Sequence, residues 1–228
     1  MSAGAATSKR PSVTLKLATS LDGRIATAGG HSKWITGEAA RAEAHRLRAA
    51  HDAVLVGSGT LLADDPELTA RTDPPPAKQP LRIVADSRAR TPANAKLFRT
   101  LDKGPIAIAT IETTNLDHWP SDRGIQYWMV AKDPGTGSLS VEELLNSAAR
   151  AGVCSLMIEG GGQLAASFVK AGLVDRIEWF RAPILLGGDG LPCLDGLGLE
   201  TVASAPTSER VGVKEVGGDL HESYVRKA

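Results

Sequence analysis

The feature that most constrains this chain is an apolar run, three glycines and a helix-forming segment in direct succession. Residues 155–159 predict a buried strand, Gly160–Gly162 follow at once, and a helix is predicted from Gln163 to about Ala171, ending at Gly172. A strand turning tightly into a helix is typical of an α/β sheet. The glycines allow close backbone approach, and a helix start attracts anions. The segment therefore predicts an anion cradle, although a plain turn without a ligand fits equally well.

The rest of the chain repeats the alternation of strands and helices. Ser140 and Glu143 form a capping box, and Thr36 is expected to cap another helix. The predicted strands are 12–18, 53–57, 81–86, 105–110, 126–131, 155–159 and the extended segment 175–186, the predicted helices are 37–51, 140–151 and 163–171, and a hairpin is predicted at 210–226. We therefore expect a single α/β domain over residues 11–228, after a flexible tail at 1–10.

Composition excludes several classes of function. The 26 Lys and Arg residues equal the 26 Asp and Glu residues in number, so no bulk charge recruits nucleic acid or a membrane surface. Two cysteines, Cys154 and Cys193, are too few for a disulfide scaffold, and the five histidines show no metal-ligand spacing. We expect no metal, surface positions for every histidine, and a cytoplasmic protein whose ligands are small molecules.

Candidate functional side chains surround the predicted turns. Glu159 ends the strand before the glycines, where open α/β sheets bind ligands, although a water-facing glutamate fits nearly as well. Lys16 lies inside an apolar strand, which is costly unless the ammonium is paired or faces a cleft. Arg48 and Arg71 are candidate anion ligands, and Trp34 is either a buried staple or a pocket wall.

Four blocks, in order, resemble the reductase domain of the bifunctional riboflavin-biosynthesis deaminase/reductase. These blocks are 15–26 (LKLATSLDGRIA), 31–36 (HSKWIT), 57–71 (GSGTLLADDPELTAR) and 158–163 (IEGGGQ). The resemblance implies a dihydrofolate-reductase-like fold, with a mostly parallel mixed sheet flanked by helices, commonly in a homodimer. It also implies reduction by NADPH of the ribosyl group of 5-amino-6-(5-phosphoribosylamino)uracil to ribityl.

The resemblance assigns roles to individual positions. Those implied to contact the substrate are Ser32, Arg48, Leu68, Arg71 and Glu159. Those implied to contact the dinucleotide are Ala18, Trp34, Thr60, Asp64, Ser87, Gly161, Gly162, Gln163, Leu164, Ala165, Ala166 and Ser167. We expect Lys16 and Glu159 to be catalytic, and Ser87, with Arg88 or Arg90, to receive the adenosine 2′-phosphate.

One departure from the bifunctional pattern limits the expected activity. The zinc deaminase signature, H-x-E with P-C-x-x-C, does not occur in the chain, so a separate deaminase is expected. Two alternatives stay open. The first is a reductase of the same fold acting on a pterin, a folate or another imine, and the second is a non-enzymatic NADP-binding module.

Overall fold

The computed structural model describes residues 10–112, 115–121 and 124–227. Residues 1–9 of the expected tail lie outside the described residues. Arg10, the last residue of that expected tail, donates two hydrogen bonds to the Asp175 carboxylate, at 2.8 and 2.6 Å. The described part of the domain therefore begins at an anchored residue.

Strands and helices alternate along the chain, as the apolar pattern predicts. The strands are β1 Ser12–Thr19, β2 Arg24–Ala26, β3 Ala53–Gly57, β4 Leu81–Ala85, β5 Ile106–Ile111, β6 Gln126–Val130, β7 Ser155–Glu159, β8 Arg176–Arg181, β9 Leu191–Pro192, β10 Ser208–Val216 and β11 Asp219–Arg226. The α-helices are α1 Glu38–Ala49, α2 Ser58–Asp64, α3 Lys96–Arg99, α4 Val141–Arg150 and α5 Gly162–Lys170.

The main sheet has nine strands in the order β10-β11-β8-β1-β7-β3-β4-β5-β6. Every pair from β8 to β6 is parallel, whereas β11 pairs antiparallel with both β8 and β10. The mostly parallel mixed sheet confirms the predicted fold class. Short β2 and β9 form a separate antiparallel pair beside the sheet.

Helices cover both faces of the sheet. Leu15 and Ile158 belong to a buried cluster that includes Leu144 of α4 and Phe168 of α5. Alternate residues of the same strands point to the opposite face, where α1, α2 and α3 lie and where Val56 packs in a second buried cluster. The side chains of Lys16 and Glu159 share this second face, because they are register partners on β1 and β7.

Two local predictions are wrong in detail. Thr36 does not cap α1: the cap position is Gly37, whose N–H donates to the Asp219 carboxylate at 2.6 Å. The Asp219 side chain from β11 therefore binds the cap residue itself, and α1 begins without a side-chain cap. The extended segment 175–186 forms a strand only over Arg176–Arg181, where it has partners on both sides. The capping box is confirmed at its Ser140 half, whose hydroxyl accepts from the Glu143 N–H at 3.3 Å.

Candidate functional site

A cleft of about 660 Å³ opens at the carboxyl ends of the central parallel strands. Its walls include Ala18 near the end of β1, Gly57 at the end of β3, Ala85 at the end of β4 and Gly160 just beyond β7. Open α/β sheets bind ligands at this edge, since the loops that follow the strands converge there. The fold thus brings loops from distant parts of the chain to one candidate site.

One end of the cleft contains a buried ion pair between α1 and β7. Arg48 donates to both carboxylate oxygens of Glu159, with Nε to Oε1 at 2.5 Å and Nη2 to Oε2 at 2.8 Å, and donates from Nη1 to the Thr69 carbonyl at 2.9 Å. Burial raises the pKa of Glu159, but the attraction of Arg48 outweighs it and the pKa falls to about 2. The carboxylate is therefore ionised at neutral pH, and the pair is a fixed bidentate contact.

Lys16 lies beside this pair and lines the same cleft. Within the described residues its ammonium has no hydrogen bond or ion pair, and Nζ lies 5.9 Å from the centroid of the Phe180 ring. Burial lowers the pKa of Lys16, while the nearby Glu159 carboxylate opposes that shift. An ammonium that faces a cleft with a weakened hold on its proton is suited to proton transfer.

A second part of the cleft wall, here called the glycine end, follows Glu159 in the sequence and is built from glycine turns. Gly160 and Gly161 adopt φ values of 82° and 89°, and α5 begins without a side-chain cap. A Cβ on Gly160 would lie 3.3 Å from the Thr60 hydroxyl, so the turns after β7 and β3 lie against each other. The uncapped start of α5 presents backbone N–H groups, which fit an anionic group such as a pyrophosphate.

Most residues singled out from the sequence meet in this cleft. Those that line it are Lys16, Ala18, Ser32, Arg48, Thr60, Asp64, Leu68, Ser87, Glu159, Gly161, Gly162, Gln163, Leu164 and Ser167. The chain segments that carry them are far apart in sequence. Their convergence supports the predicted roles, although each individual ligand contact stays a prediction.

Four of the predicted residues do not line the cleft. Trp34 is 70% exposed and does not form a pocket wall. The Arg41 Cζ atom lies 4.3 Å from the centroid of its ring. Ala165 and Ala166 are buried on the sheet side of α5. Arg71 is exposed, and its backbone N–H donates to His45 Nδ1 at 3.2 Å. Their predicted ligand contacts stay predictions.

The structure adds lining residues that had no clear local signal. Leu191 and Cys193 enter the cleft through β9 and the residue after it, because β9 pairs with β2. Cys193 is half-buried, and burial raises the pKa of its thiol. Arg90, one of two arginines proposed near Ser87, lines the cleft and donates to the Ser58 hydroxyl at 2.8 Å.

The expectation that all histidines lie at the surface is wrong. His221 is 5% exposed, and its Nε2 lies 2.6 Å from the Glu178 carboxylate. His51 and His45 are half-buried on or just after α1, where they contact Thr14 and Arg71. Among the described residues, no group of three or more His, Cys, Asp or Glu side chains could hold a metal ion.

Comparison with known proteins identifies the family. The family described as RibD C-terminal domain matches residues 11–221, and the chain belongs to this family. It is 37% identical over 222 residues to riboflavin biosynthesis protein RibD of Bacillus amyloliquefaciens, covering 95% of this chain and 58% of that protein. It is 39% identical over 221 residues to the 2,5-diamino-6-ribosylamino-4(3H)-pyrimidinone 5′-phosphate reductase of Methanothermobacter thermautotrophicus, covering 96% of this chain and 99% of that protein.

Solved structures agree on the fold. RibD of Acinetobacter baumannii superposes with a TM-score of 0.81 at 28% identity, covering 97% of this chain and 59% of that one. A deaminase and 5-amino-6-(5-phosphoribosylamino)uracil reductase of Thermotoga maritima gives a TM-score of 0.80 at 27% identity, covering 97% and 58%. The chain therefore spans a little over half the length of the RibD proteins that it matches, and it has the dihydrofolate-reductase-like fold of their reductase domains.

No helix in the described parts of the chain is both long and apolar enough to cross a bilayer.

Proposed function

We propose that this protein reduces the ribosyl group of a phosphorylated ribosylamino-pyrimidine, 5-amino-6-(5-phosphoribosylamino)uracil, to ribityl with NADPH in riboflavin biosynthesis. The observation that carries the proposal is the division of the cleft. Lys16 and the Arg48–Glu159 pair form one part of its wall, and the uncapped start of α5 forms another. A reductase of a phosphorylated substrate needs one anion site for the dinucleotide and one for the substrate, so that the nicotinamide and the reacting carbon are held together between them.

The glycine end fits a dinucleotide. Gly161, Gly162 and the first residues of α5 would hold its pyrophosphate, because their backbone N–H groups have no side-chain cap. The bound cofactor supplies a hydride, which the substrate accepts at the former anomeric carbon. Ser87 and Arg90, which both line the cleft, would receive the adenosine 2′-phosphate.

The charged end acts on the substrate. The sugar ring opens when the amine on the anomeric carbon gives its proton to the ring oxygen and the bond between that carbon and the ring oxygen breaks. The product is an imine. Its nitrogen takes up a proton as the former anomeric carbon takes up hydride. Lys16 is placed to donate that proton and to regain one from solvent, since its ammonium is otherwise unpaired among the described residues. Glu159 would accept hydrogen bonds from ribose hydroxyls with the carboxylate lone pairs that Arg48 does not use.

A second substrate has support from one relative. The Methanothermobacter protein that is 39% identical is named for a diamino-pyrimidinone, which carries an amino group where the uracil substrate carries an oxygen. Reduction would then precede deamination. The proposal also includes a homodimer of this chain in the reducing cytoplasm.

The decisive experiment follows the loss of NADPH absorbance with each of the two pyrimidines, and with dihydrofolate as the control substrate. We expect oxidation with a phosphoribosylamino-pyrimidine and none with dihydrofolate. The ratio of kcat/KM for the two pyrimidines decides between them. Oxidation with dihydrofolate alone would overturn the proposal in favour of another reductase of the same fold.

Cofactor choice has its own test. Replacing Arg90 with glutamine removes a cation from the cleft wall, so the KM for NADPH should rise about fivefold to tenfold while the KM for NADH stays the same. The matched variant is Arg99→Gln, because Arg99 is exposed on α3 and does not line the cleft. Equal rates of the wild-type protein with the two cofactors would contradict the NADPH preference.

A further inference from the structure

His45 lies near the charged end of the cleft without lining it, and it has no part in the reaction described above. It precedes Arg48 by three residues on α1, so the two side chains share one face of the helix. Its Nδ1 lies 3.2 Å from the backbone nitrogen of Arg71. Because a backbone N–H can only donate, Nδ1 must be the acceptor, and the neutral ring carries its proton on Nε2.

This hydrogen bond is one of a series along the segment from Glu67 to Arg71. The segment is not part of a helix or strand, and side chains from other elements hold its backbone. Arg82 donates to the Glu67 carbonyl at 3.0 Å, and Arg48 donates to the Thr69 carbonyl at 2.9 Å. The Gln79 side chain accepts from the Ala70 N–H at 2.8 Å and donates to the Ala70 carbonyl at 2.9 Å. The contact with His45 is the one that fixes the end of the segment.

The charges around His45 favour the neutral ring that this bond requires. Burial lowers the pKa of His45 to about 4, and the nearby cations Arg48, Arg71 and Lys16 act in the same direction, whereas Glu159 opposes them. A protonated ring would carry a hydrogen on Nδ1 and lose the bond to Arg71. At neutral pH the ring therefore serves as an acceptor.

We propose that His45 is a positioning residue for the substrate phosphate, holding the backbone of Arg71 so that its guanidinium can reach the same anion as Arg48. The proposal rests on the function proposed above and on the prediction that Arg48 and Arg71, the candidate anion ligands, bind the phosphate of the substrate. Arg48 holds Thr69 and His45 holds Arg71, so one helix face fixes the segment at two points two residues apart. Without the hydrogen bond to His45, the backbone that carries the exposed Arg71 side chain is less ordered, so phosphate binding costs more conformational entropy.

The kinetic test compares three variants. His45→Leu removes the acceptor, His45→Asn keeps an acceptor oxygen near the position of Nδ1, and His118→Leu makes the same apolar change at an exposed histidine outside the cleft. We expect His45→Leu to raise the KM for the phosphorylated pyrimidine about tenfold, with kcat and the KM for NADPH within about twofold, which matches the loss of one hydrogen bond. His45→Asn should recover most of that loss, and His118→Leu should behave as wild type.

Two measurements need no turnover, so they separate this proposal from the proposed function. In the wild-type protein at pH 7, ¹⁵N spectra of the imidazole should show Nδ1 unprotonated and Nε2 protonated. The Arg71 amide should exchange slowly with solvent in wild type and His45→Asn and at least tenfold faster in His45→Leu, and binding of ribose 5-phosphate should weaken only in His45→Leu.

Several results would overturn the role of His45. These are a protonated Nδ1 in the wild-type spectrum, a KM unchanged in His45→Leu, or equal losses of kcat in both His45 variants. If His45→Leu does not fold, the wild-type ring spectrum and the His45→Asn exchange rate still decide. If the wild-type protein lacks reductase activity but the spectrum, amide exchange and ribose 5-phosphate binding are as expected, the proposed function fails and the positioning of Arg71 stands.

Discussion

The two ends of the cleft prepare for anions by different physical means. The charged end uses side chains that neutralise one another before any ligand arrives, with Arg48 bonded to both oxygens of Glu159. The glycine end uses backbone N–H groups at the start of α5, where Gly161 precedes the helix without a side-chain cap. Buried charges require partners to remain stable, whereas uncapped N–H groups can be satisfied by water until a ligand binds.

This difference links each end to a different property of the protein. Removing one member of a buried ion pair leaves an unpaired charge, so changes at the charged end should alter folding stability as well as activity. Changes at the glycine end should alter ligand affinity with a smaller effect on stability.

The largest expected effect is on turnover at the charged end. Lys16→Met keeps the aliphatic bulk but removes the ammonium, so we expect kcat to fall at least a hundredfold, the typical contribution of a positioned proton donor. NADPH affinity, measured by fluorescence titration, should change no more than about twofold. Lys170→Met, at an exposed position at the end of α5, serves as the control. A near-wild-type rate for Lys16→Met would remove Lys16 from the mechanism.

The second effect is on folding. Arg48→Leu should lower the free energy of unfolding in urea by about 3–5 kcal/mol, because the buried Glu159 carboxylate then loses its bidentate partner. The double variant with Glu159→Leu should recover much of that stability while remaining inactive. The control is Arg46→Leu on the same helix, which breaks an exposed pair with Glu43 and should change stability by less than about 1 kcal/mol. Equal losses in the two single variants would contradict the contrast between buried and exposed pairs.

Acid should lower the folding stability that Glu159 contributes at the charged end of the cleft. The folded-state pKa of Glu159 is about 2, below the ordinary glutamate value of 4.5. A lowered carboxylate pKa stabilises the fold above the unfolded value, and that stability is lost as pH falls from about 5 towards 2. Glu159→Gln should therefore be less stable than wild type by about 3 kcal/mol at pH 7, and urea unfolding should show this gap narrowing as the pH falls below 5. A stability difference that is constant with pH would exclude the ionisation of Glu159 as the cause of the difference.

Local patterns predicted the fold and the glycine end well, because their causes are local. The strand before Gly160, the turn and the helix from Gln163 follow one another in the sequence, and the observed helix begins one residue earlier. The partnership of Arg48 with Glu159 could not be predicted in this way. The two residues are 111 positions apart, and their contact depends on how α1 crosses the sheet.

Three other residues depend on tertiary contacts in the same way. Trp34 was a reasonable candidate for a pocket wall, but tertiary packing leaves it exposed against Arg41. Cys193 reaches the cleft only because the two-residue strand β9 pairs with β2, a contact that no apolar period reveals. His45 gave no signal at all, since its role depends on the backbone of a segment that begins some twenty residues later.

The smallest expected effect tests the glycine end. A Cβ on Gly162 would lie 2.9 Å from the Pro192 carbonyl oxygen, so Gly162→Ala forces the backbone of β9 away from the start of α5. We expect the dissociation constant for NADPH to rise about tenfold, a loss of about 1.4 kcal/mol. The KM for the pyrimidine should change little, and the free energy of unfolding should fall by less than in Arg48→Leu.

Gly188→Ala is the matched control for that experiment, because a Cβ there would meet nothing within 4 Å and Gly188 does not line the cleft. Isothermal titration with NADPH, together with urea unfolding of both variants, separates affinity from stability. If Gly162→Ala destabilised the fold as much as Arg48→Leu does, the glycine end would be part of the same structural support as the ion pair. If it instead weakened NADPH binding alone, ligand affinity at one end of the cleft would be separable from folding stability at the other.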